Sequence, residues 1–262
     1  MTHTLTARER EQGERFDAFY AARAASPLVA ALYAEAMGDT YPHEAAPFSS
    51  CDWAVLAAMV SRLRLRPGQL LADIGCGTGG VGLWLARALN TQLIGVDVSA
   101  TAVRLATERR AAFIPTDRAR FHIGSLETTG LTDQSVHGLV CIDAFANADD
   151  HPAALREFHR ILKPGGRAVM TRAIPHHDRH NLQQHTSAAG LTLEHTVNRP
   201  EEPAVWRRLY TLWLTRETDL RHELGHEQAN NMIAEAQRML PRLNTRQALV
   251  ITLTRPLTTA AG

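Results

Sequence analysis

Apolar positions in the central part of the chain follow two spacings. Short apolar runs bounded by turn residues predict buried strands. Between them, apolar residues recur at three- and four-residue intervals, which predicts helices. This alternation is typical of a mostly parallel sheet that is covered on both faces and joined by right-handed crossovers. The predicted central strands are 69–74, 92–97, 120–123, 137–142 and 167–172, and the predicted helices are 81–89, 99–112 and 152–162.

The flanking segments add helices at both ends and two more strands. Ser49 or Ser50 is the expected N-cap of the helix that carries the apolar positions 53–63. We therefore expect an α/β, Rossmann-like, doubly wound, mostly parallel seven-stranded sheet, with an N-terminal helical flap over 1–66. The second domain is then 67–262, with a helical insertion at about 200–243. The other flanking elements are helices 7–25, 28–37, 181–189 and 204–240, the last broken near Gly225, and strands 191–197 and 246–254.

Composition narrows the class of partner. The 262 residues include 45% hydrophobic residues, and the formal net charge of +1 offers no basic excess for a phosphate backbone. We expect a small-molecule substrate, neither a nucleic acid nor a membrane as partner, and a cytoplasmic location, because no signal peptide or long apolar run is present. The sequence leaves a homo-oligomer open. Three widely separated cysteines form no disulfide framework or zinc pattern, and no metal is expected.

A glycine-rich turn supplies the strongest functional signal. Gly75, Gly77 and Gly79 follow a predicted strand and precede a helix, where glycines allow a ligand to approach the helix N-terminus. Asp97 ends the next strand, where a carboxylate accepts hydrogen bonds from ribose hydroxyls. Asp73 argues against a nicotinamide cofactor, because a carboxylate would repel its pyrophosphate. A sulfonium and an ammonium group suit that carboxylate better.

These residues resemble the class I S-adenosylmethionine (AdoMet)-dependent methyltransferases. The resemblance is strong over 68–172 and includes 120–126, 135–140 and 155–166. A weaker upstream match at Tyr41 and His43 resembles the small-molecule methyltransferases of bacterial secondary metabolism, in which this segment folds over cofactor and substrate. The abundance of alanine and arginine, with Lys163 as the only lysine, agrees with a bacterial origin. The resemblance implies that AdoMet is the cofactor and that it contacts Asp73, Gly75, Gly77, Gly79, Asp97, Val98, Gly124, Ser125, Leu126, Asp143 and Tyr41.

Two positions depart from the family pattern. Ser125 stands where an aspartate usually lies near the adenine amino group, and its hydroxyl is a weaker acceptor than a carboxylate. Asn147 stands where many relatives have a histidine, and an amide cannot act as a base. A histidine mechanism at that position is therefore in doubt.

The candidate catalytic residues lie after the fourth and fifth central strands and in the flap. A hydroxyl or an acidic carbon must lose its proton as it accepts a methyl group. Asp143, His176, His177, His180 and His43 are the candidates, and His176 is slightly favoured because it is nearest its strand end. Trp206, Tyr210 and Trp213 share one helical face and serve either the core or a substrate wall.

The expected function is transfer of a methyl group from AdoMet to the oxygen or carbon of a small natural-product acceptor, as in antibiotic biosynthesis. The main alternative is a methyltransferase-like enzyme that binds AdoMet but catalyses a non-methylating step such as a cyclisation. A nicotinamide oxidoreductase and a non-catalytic AdoMet-binding protein are further alternatives.

Overall fold

A seven-stranded mixed sheet forms the centre of the molecule. The computed structural model describes residues 5–176 and 178–257. Strand order is β3-β2-β1-β4-β5-β7-β6, and β7 runs antiparallel to both of its neighbours. The strands are β1 Leu70–Ile74, β2 Gln92–Asp97, β3 Ala119–Ile123, β4 Val136–Cys141, β5 Leu162–Pro175, β6 Thr192–Asn198 and β7 Arg246–Thr254.

Helices cover both faces of the sheet, and two of them separate the last two strands along the sequence. The helices are α1 Ala7–Ala25, α2 Leu28–Met37, α3 Trp53–Leu63, α4 Gly80–Ala88, α5 Ala100–Arg109, α6 His151–Ile161, α7 Arg179–Ala188, α8 Glu202–Thr215 and α9 Glu217–Met239. No helix within the described ranges is long and apolar enough to cross a membrane. The expected Rossmann-like class with seven strands is confirmed.

Local signals explain where several helices begin. Ser99 and Asp150 each accept a hydrogen bond from a backbone N–H of the first turn of their helix, α5 and α6. Thr6 and Glu9 form a reciprocal capping box at the start of α1. Side-chain acceptors at these positions satisfy N–H groups that would otherwise lack partners.

Three sequence-based boundaries differ from the structure. Asp52 caps α3, and Ser50 instead donates to a carboxylate at the sheet edge, so the predicted serine cap is wrong. Strand β5 extends well beyond the predicted 167–172, because β7 pairs with it as far as Pro175. The long helix is interrupted before α9 as well as at Gly225, whose φ of 81° confirms the predicted break.

Among the described residues, the buried hydrophobic side chains form three clusters. The third holds together the cap, which consists of α2, α8 and α9. Two clusters lie on opposite faces of the sheet. The third joins α2 to α8 and α9 through residues such as Leu32, Tyr33, Leu209 and Trp213. The N-terminal helices and the insertion between β6 and β7 therefore pack as one layer. Because the order of the parallel strands reverses between β1 and β4, a ligand crevice is expected beside their carboxyl ends, under this layer.

Candidate functional site

The turn that follows β1 is built from glycines in the left-handed region. Gly75, Gly77 and Gly79 have φ values of 74°, 52° and 75°. A Cβ added at Gly75 would lie 2.3 Å from the Cβ of Ala144, so a side chain there has no room. The turn thus brings bare main chain to the start of α4.

Asp97 holds this turn from the end of β2. Its carboxylate accepts hydrogen bonds from the backbone N–H of Gly77 at 2.8 Å and of Ser99 at 3.0 Å. Burial raises its pKa to about 6. The same side chain lines the main cavity, so it serves both the fold of the turn and any ligand beside it.

Asp73 lies buried beneath the turn. It accepts a hydrogen bond from the N–H of Gly82 in the first turn of α4 at 3.1 Å. Burial, together with the nearby charge of Asp97, raises its pKa to about 7. An uncompensated carboxylate in this position favours a cationic ligand group.

Two cavities meet at the turn. The larger has a volume of about 470 Å³ and the smaller about 70 Å³, and both are lined by Tyr20 and Gly75. Of the predicted cofactor residues, Asp73, Gly75 and Gly77 line the smaller cavity, whereas Gly79 and Tyr41 line neither. Those that line the larger cavity are Gly75, Asp97, Val98, Gly124, Ser125, Leu126 and Asp143.

Helix α1 covers the cavity. Asp17 anchors it to the N-terminus of α5 by accepting hydrogen bonds from the Ser99 hydroxyl at 2.5 Å and the Thr101 N–H at 2.7 Å. Gln12 adds a hydrogen bond to the carbonyl of Asn147 at 2.7 Å. The side chains of α1 that line the cavity are Gln12, Phe16, Phe19, Tyr20 and Arg23.

Asp143 is held by protein donors. One carboxylate oxygen accepts from the N–H and hydroxyl of Ser50 at 2.6 and 2.7 Å, and the other accepts from the Thr171 hydroxyl at 2.6 Å. Arg199 donates to the hydroxyl and the carbonyl of Ser50. These bonds hold the Asp143 carboxylate between Thr171 and the segment before α3, and they fill three of its roughly four acceptor positions. Its role as a catalytic base stays a prediction.

Aromatic side chains form the far wall of the larger cavity. Trp206 stacks on Tyr210 with ring centroids 5.2 Å apart, and Tyr33 meets Trp206 and Trp213 edge to face at 6.4 Å. Tyr210 donates its hydroxyl to Glu235 at 3.1 Å. Trp206, Tyr210 and Trp213 all line the cavity and pack in the third cluster, so they belong to the core, and their role as a substrate wall stays a prediction.

The candidate histidines that the structure describes lie away from the cavities. His43 is exposed and packs its ring against Tyr41, whose hydroxyl donates to the Pro47 carbonyl. His176 is exposed and lines neither cavity. His177 lies outside the described residues, and only the backbone of His180, within α7, is described. Within residues 5–176 and 178–257, no group of three or more potential metal ligands occurs.

Several cavity residues escaped the sequence analysis. Phe16, Phe19, Tyr20 and Arg23 recur at helical spacing within α1. That stripe is the signal by which they were detectable. Glu235 carried no local signal, because its approach to the cavity depends on how α9 packs.

Comparison with known proteins agrees with this geometry. Residues 71–166 match the methyltransferase domain family. An O-methyltransferase of Pyrenophora dematioidea is 27% identical over 58% of this chain and 50% of its own length. The chain spans 22% and 50% of the length of two curated relatives that it matches.

Solved structures share the fold at low sequence identity. The [4+2]-cyclase SpnF superposes with a TM-score of 0.75 at 18% identity, over 95% of this chain and 96% of that one. A phosphoethanolamine N-methyltransferase 2 of Haemonchus contortus, in complex with phosphomonomethylethanolamine and S-adenosylhomocysteine, gives a TM-score of 0.68 at 16% identity, over 87% and 57% of the two chains.

Proposed function

We propose that this chain, whose residues 71–166 match the methyltransferase domain family, transfers a methyl group from AdoMet to an oxygen or carbon atom of a small natural-product acceptor. One observation carries the proposal: the glycine turn and its two aspartates border a cavity that has an aromatic wall. Such a cavity, largely apolar with a few convergent polar groups, is the usual form of a small-molecule site.

The residues around the turn fit AdoMet. Bare main chain at Gly75 and Gly77 leaves room that a Cβ would fill. The carboxylates of Asp73 and Asp97 match the ammonium and ribose hydroxyl groups of the cofactor. Its adenine fits the part of the cavity lined by Val98, Ser125 and Leu126. When bound, AdoMet supplies a methyl group already activated on a positively charged sulfur.

The protein then has to align the acceptor and exclude water. Helix α1 covers the cavity with aromatic side chains, and Tyr20 lines the junction between the two volumes. Asp143 fixes Ser50, and through it the segment before α3, against the sheet edge. We propose that residues 1–66 and the insertion at about 200–243 together enclose the acceptor.

Incubation with AdoMet and a library of hydroxylated bacterial metabolites, followed by mass spectrometry, tests the proposal. We expect one or more acceptors to gain one methyl group and S-adenosylhomocysteine to accumulate in equal amount. Tight binding of NAD without binding of AdoMet would contradict the proposal.

A second candidate function is a cyclisation that uses the same pocket. It is favoured by the likeness to a [4+2]-cyclase over nearly the whole chain and by Asn147, an amide where many relatives have a histidine. Its signature is a product of unchanged mass whose formation consumes no AdoMet.

A further inference from the structure

Arg23 is a buried cation with few partners. It is 4% exposed, and within the described residues no carboxylate lies within 4 Å of it. Its Nη1 donates to the carbonyl of Phe19 one turn earlier, at 3.3 Å. Its Nε has no hydrogen-bond partner in the described structure. The guanidinium also lies 3.2 Å from the ring centroid of Phe19.

Such an arrangement is costly without a ligand. Removing a charged group from water costs on the order of several kcal/mol unless hydrogen bonds and a counter-charge replace the water. Burial accordingly lowers the pKa of Arg23 to about 10. A side chain with five N–H donors and one protein acceptor is poised for an oxygen-rich partner.

A second unpartnered donor borders the same cavity. The indole N–H of Trp213 is buried and has no hydrogen-bond partner among the described residues. Tyr33 lies near both donors. Its ring packs edge to face against Trp213, and the positive charge of Arg23 opposes the rise that burial causes in the pKa of its hydroxyl. Both residues line the larger cavity, and neither the Nε of Arg23 nor the indole N–H of Trp213 has a hydrogen-bond acceptor in the described structure.

Four arginines and four carboxylates line the larger cavity, and each carboxylate accepts a hydrogen bond from a donor other than Arg23. Glu202 pairs with Arg246 at 3.1 Å, and Asp143 and Arg199 meet on Ser50. Glu235 accepts from Tyr210 and offsets part of the charge of Arg23 from beyond ion-pair distance. Arg172, at the end of β5, also lacks a carboxylate within 4 Å in the described structure and lies over the ring of Phe145.

We propose that the acceptor binds as an oxyanion, an ionised carboxyl, phenol or enol, and that Arg23 and the indole N–H of Trp213 hold that oxygen-bearing group. This inference rests on the proposed function and names its substrate class. An acceptor already ionised needs less help from a base, which agrees with the position of His43 and His176 outside the cavity. Its charge also complements the sulfonium.

A matched ligand pair tests the inference. We choose 3-hydroxy-2-naphthoate and its neutral amide, and calorimetry on protein saturated with S-adenosylhomocysteine. We expect the naphthoate to bind at least about tenfold more tightly than the amide, which corresponds to a typical charge-assisted hydrogen bond. Equal affinities, or no binding of the naphthoate, would overturn the inference.

Variants assign the preference to Arg23. Arg23→Met should reduce the preference to within twofold, whereas Arg10→Met, at an exposed arginine of the same helix, should keep it. The melting temperature of Arg23→Met should be no lower than that of the wild type, because the variant removes a buried charge without a close counter-charge. If Arg23→Met does not fold, Arg23→Gln provides the same test. A preference that survives in the folded variant would contradict the inference.

Titration of S-adenosylhomocysteine into every variant separates the two proposals. Wild-type protein that fails to bind it would contradict the proposed function. Binding to the wild type that weakens more than tenfold in Arg23→Met would assign the guanidinium to the cofactor and overturn the inference about the acceptor alone.

Discussion

The two ends of the cavity are built in different ways. At the glycine turn, residues close in sequence present main chain and two carboxylates, and Asp97 binds the turn that it helps to form. At the aromatic wall, Arg23, Tyr33, Tyr210 and Glu235 come from four helices and meet through side chains. The geometry of the first end is set by the backbone of one turn, whereas that of the second depends on how separate helices pack.

This difference separates cofactor chemistry from acceptor choice. A ligand held by main-chain groups and a tight turn tolerates little change around it. Side chains on α1, α2, α8 and α9 can be replaced, and a different acceptor bound, without disturbing the turn. Replacements at the two ends should therefore affect different measurable quantities.

The largest effect is expected at Gly75. Gly75→Ala places a methyl group 2.3 Å from the Cβ of Ala144 and keeps a φ of 74° that costs about 1–2 kcal/mol for a non-glycine residue. Overpacking adds about 1–3 kcal/mol, so the affinity for S-adenosylhomocysteine should fall on the order of a hundredfold. Calorimetry measures this change.

Gly130 provides a matched control. It has the same φ of 74°, but an added Cβ would meet nothing closer than 3.6 Å, and the residue lines neither cavity. Gly130→Ala should lose stability by about 1–2 kcal/mol and retain its affinity. Equal loss of affinity in both variants would show that the effect at Gly75 is general destabilisation.

The sequence brings the residues of the first end together but not those of the second, for a physical reason. Gly75, Gly77, Asp73 and Asp97 lie within one strand–turn–helix–strand unit, so local spacing places them together. The position of Arg23 depends on the docking of α1, which is set by Asp17 against α5.

Two smaller differences between prediction and structure have the same physical cause. Ser50 was predicted as a helix cap, whereas Asp143, far away in sequence, uses it as a donor. The flap was expected to act through Tyr41 and His43, yet α1 and Tyr33 supply the side chains that line the larger cavity. Contacts between distant segments are invisible to periodicity, which is why these residues were missed or misplaced.

The next effect concerns pH at the cofactor end. Because burial raises the pKa of Asp97 to about 6, its carboxylate protonates as pH falls from 7 to 5. A protonated acid is a poor acceptor for a ribose hydroxyl, so the affinity for S-adenosylhomocysteine should fall about tenfold over that interval. In Asp97→Asn the affinity should be lower at pH 7 and show a weaker dependence on pH. An unchanged pH profile in that variant would assign the titration to another group, such as Asp73.

A smaller effect is expected at Asp17, which anchors α1 over the cavity. Asp17→Ala removes the acceptor for the Ser99 hydroxyl and the Thr101 N–H. Loss of such contacts typically costs about 1–3 kcal/mol, part of which appears as looser docking of α1. We expect faster hydrogen exchange over 7–25 and a severalfold weaker affinity for S-adenosylhomocysteine. Glu14→Ala, at an exposed position of the same helix, is the control and should change neither quantity.

The smallest effect is expected at His43 and His176, the two candidate histidines whose side chains the structure describes. His43 and His176 are exposed and line neither cavity, so neither is positioned to remove a proton from an acceptor in the larger cavity. His43→Ala and His176→Ala should each lower the turnover rate less than about twofold, whereas loss of a positioned base typically costs about a hundredfold or more. His177→Ala and His180→Ala, at the two histidines whose side chains lie outside the described structure, keep the original hypothesis testable. A hundredfold loss at either would assign proton transfer to the loop after β5, and a hundredfold loss at His43 or His176 would show that the cap rearranges to bring that residue to the acceptor.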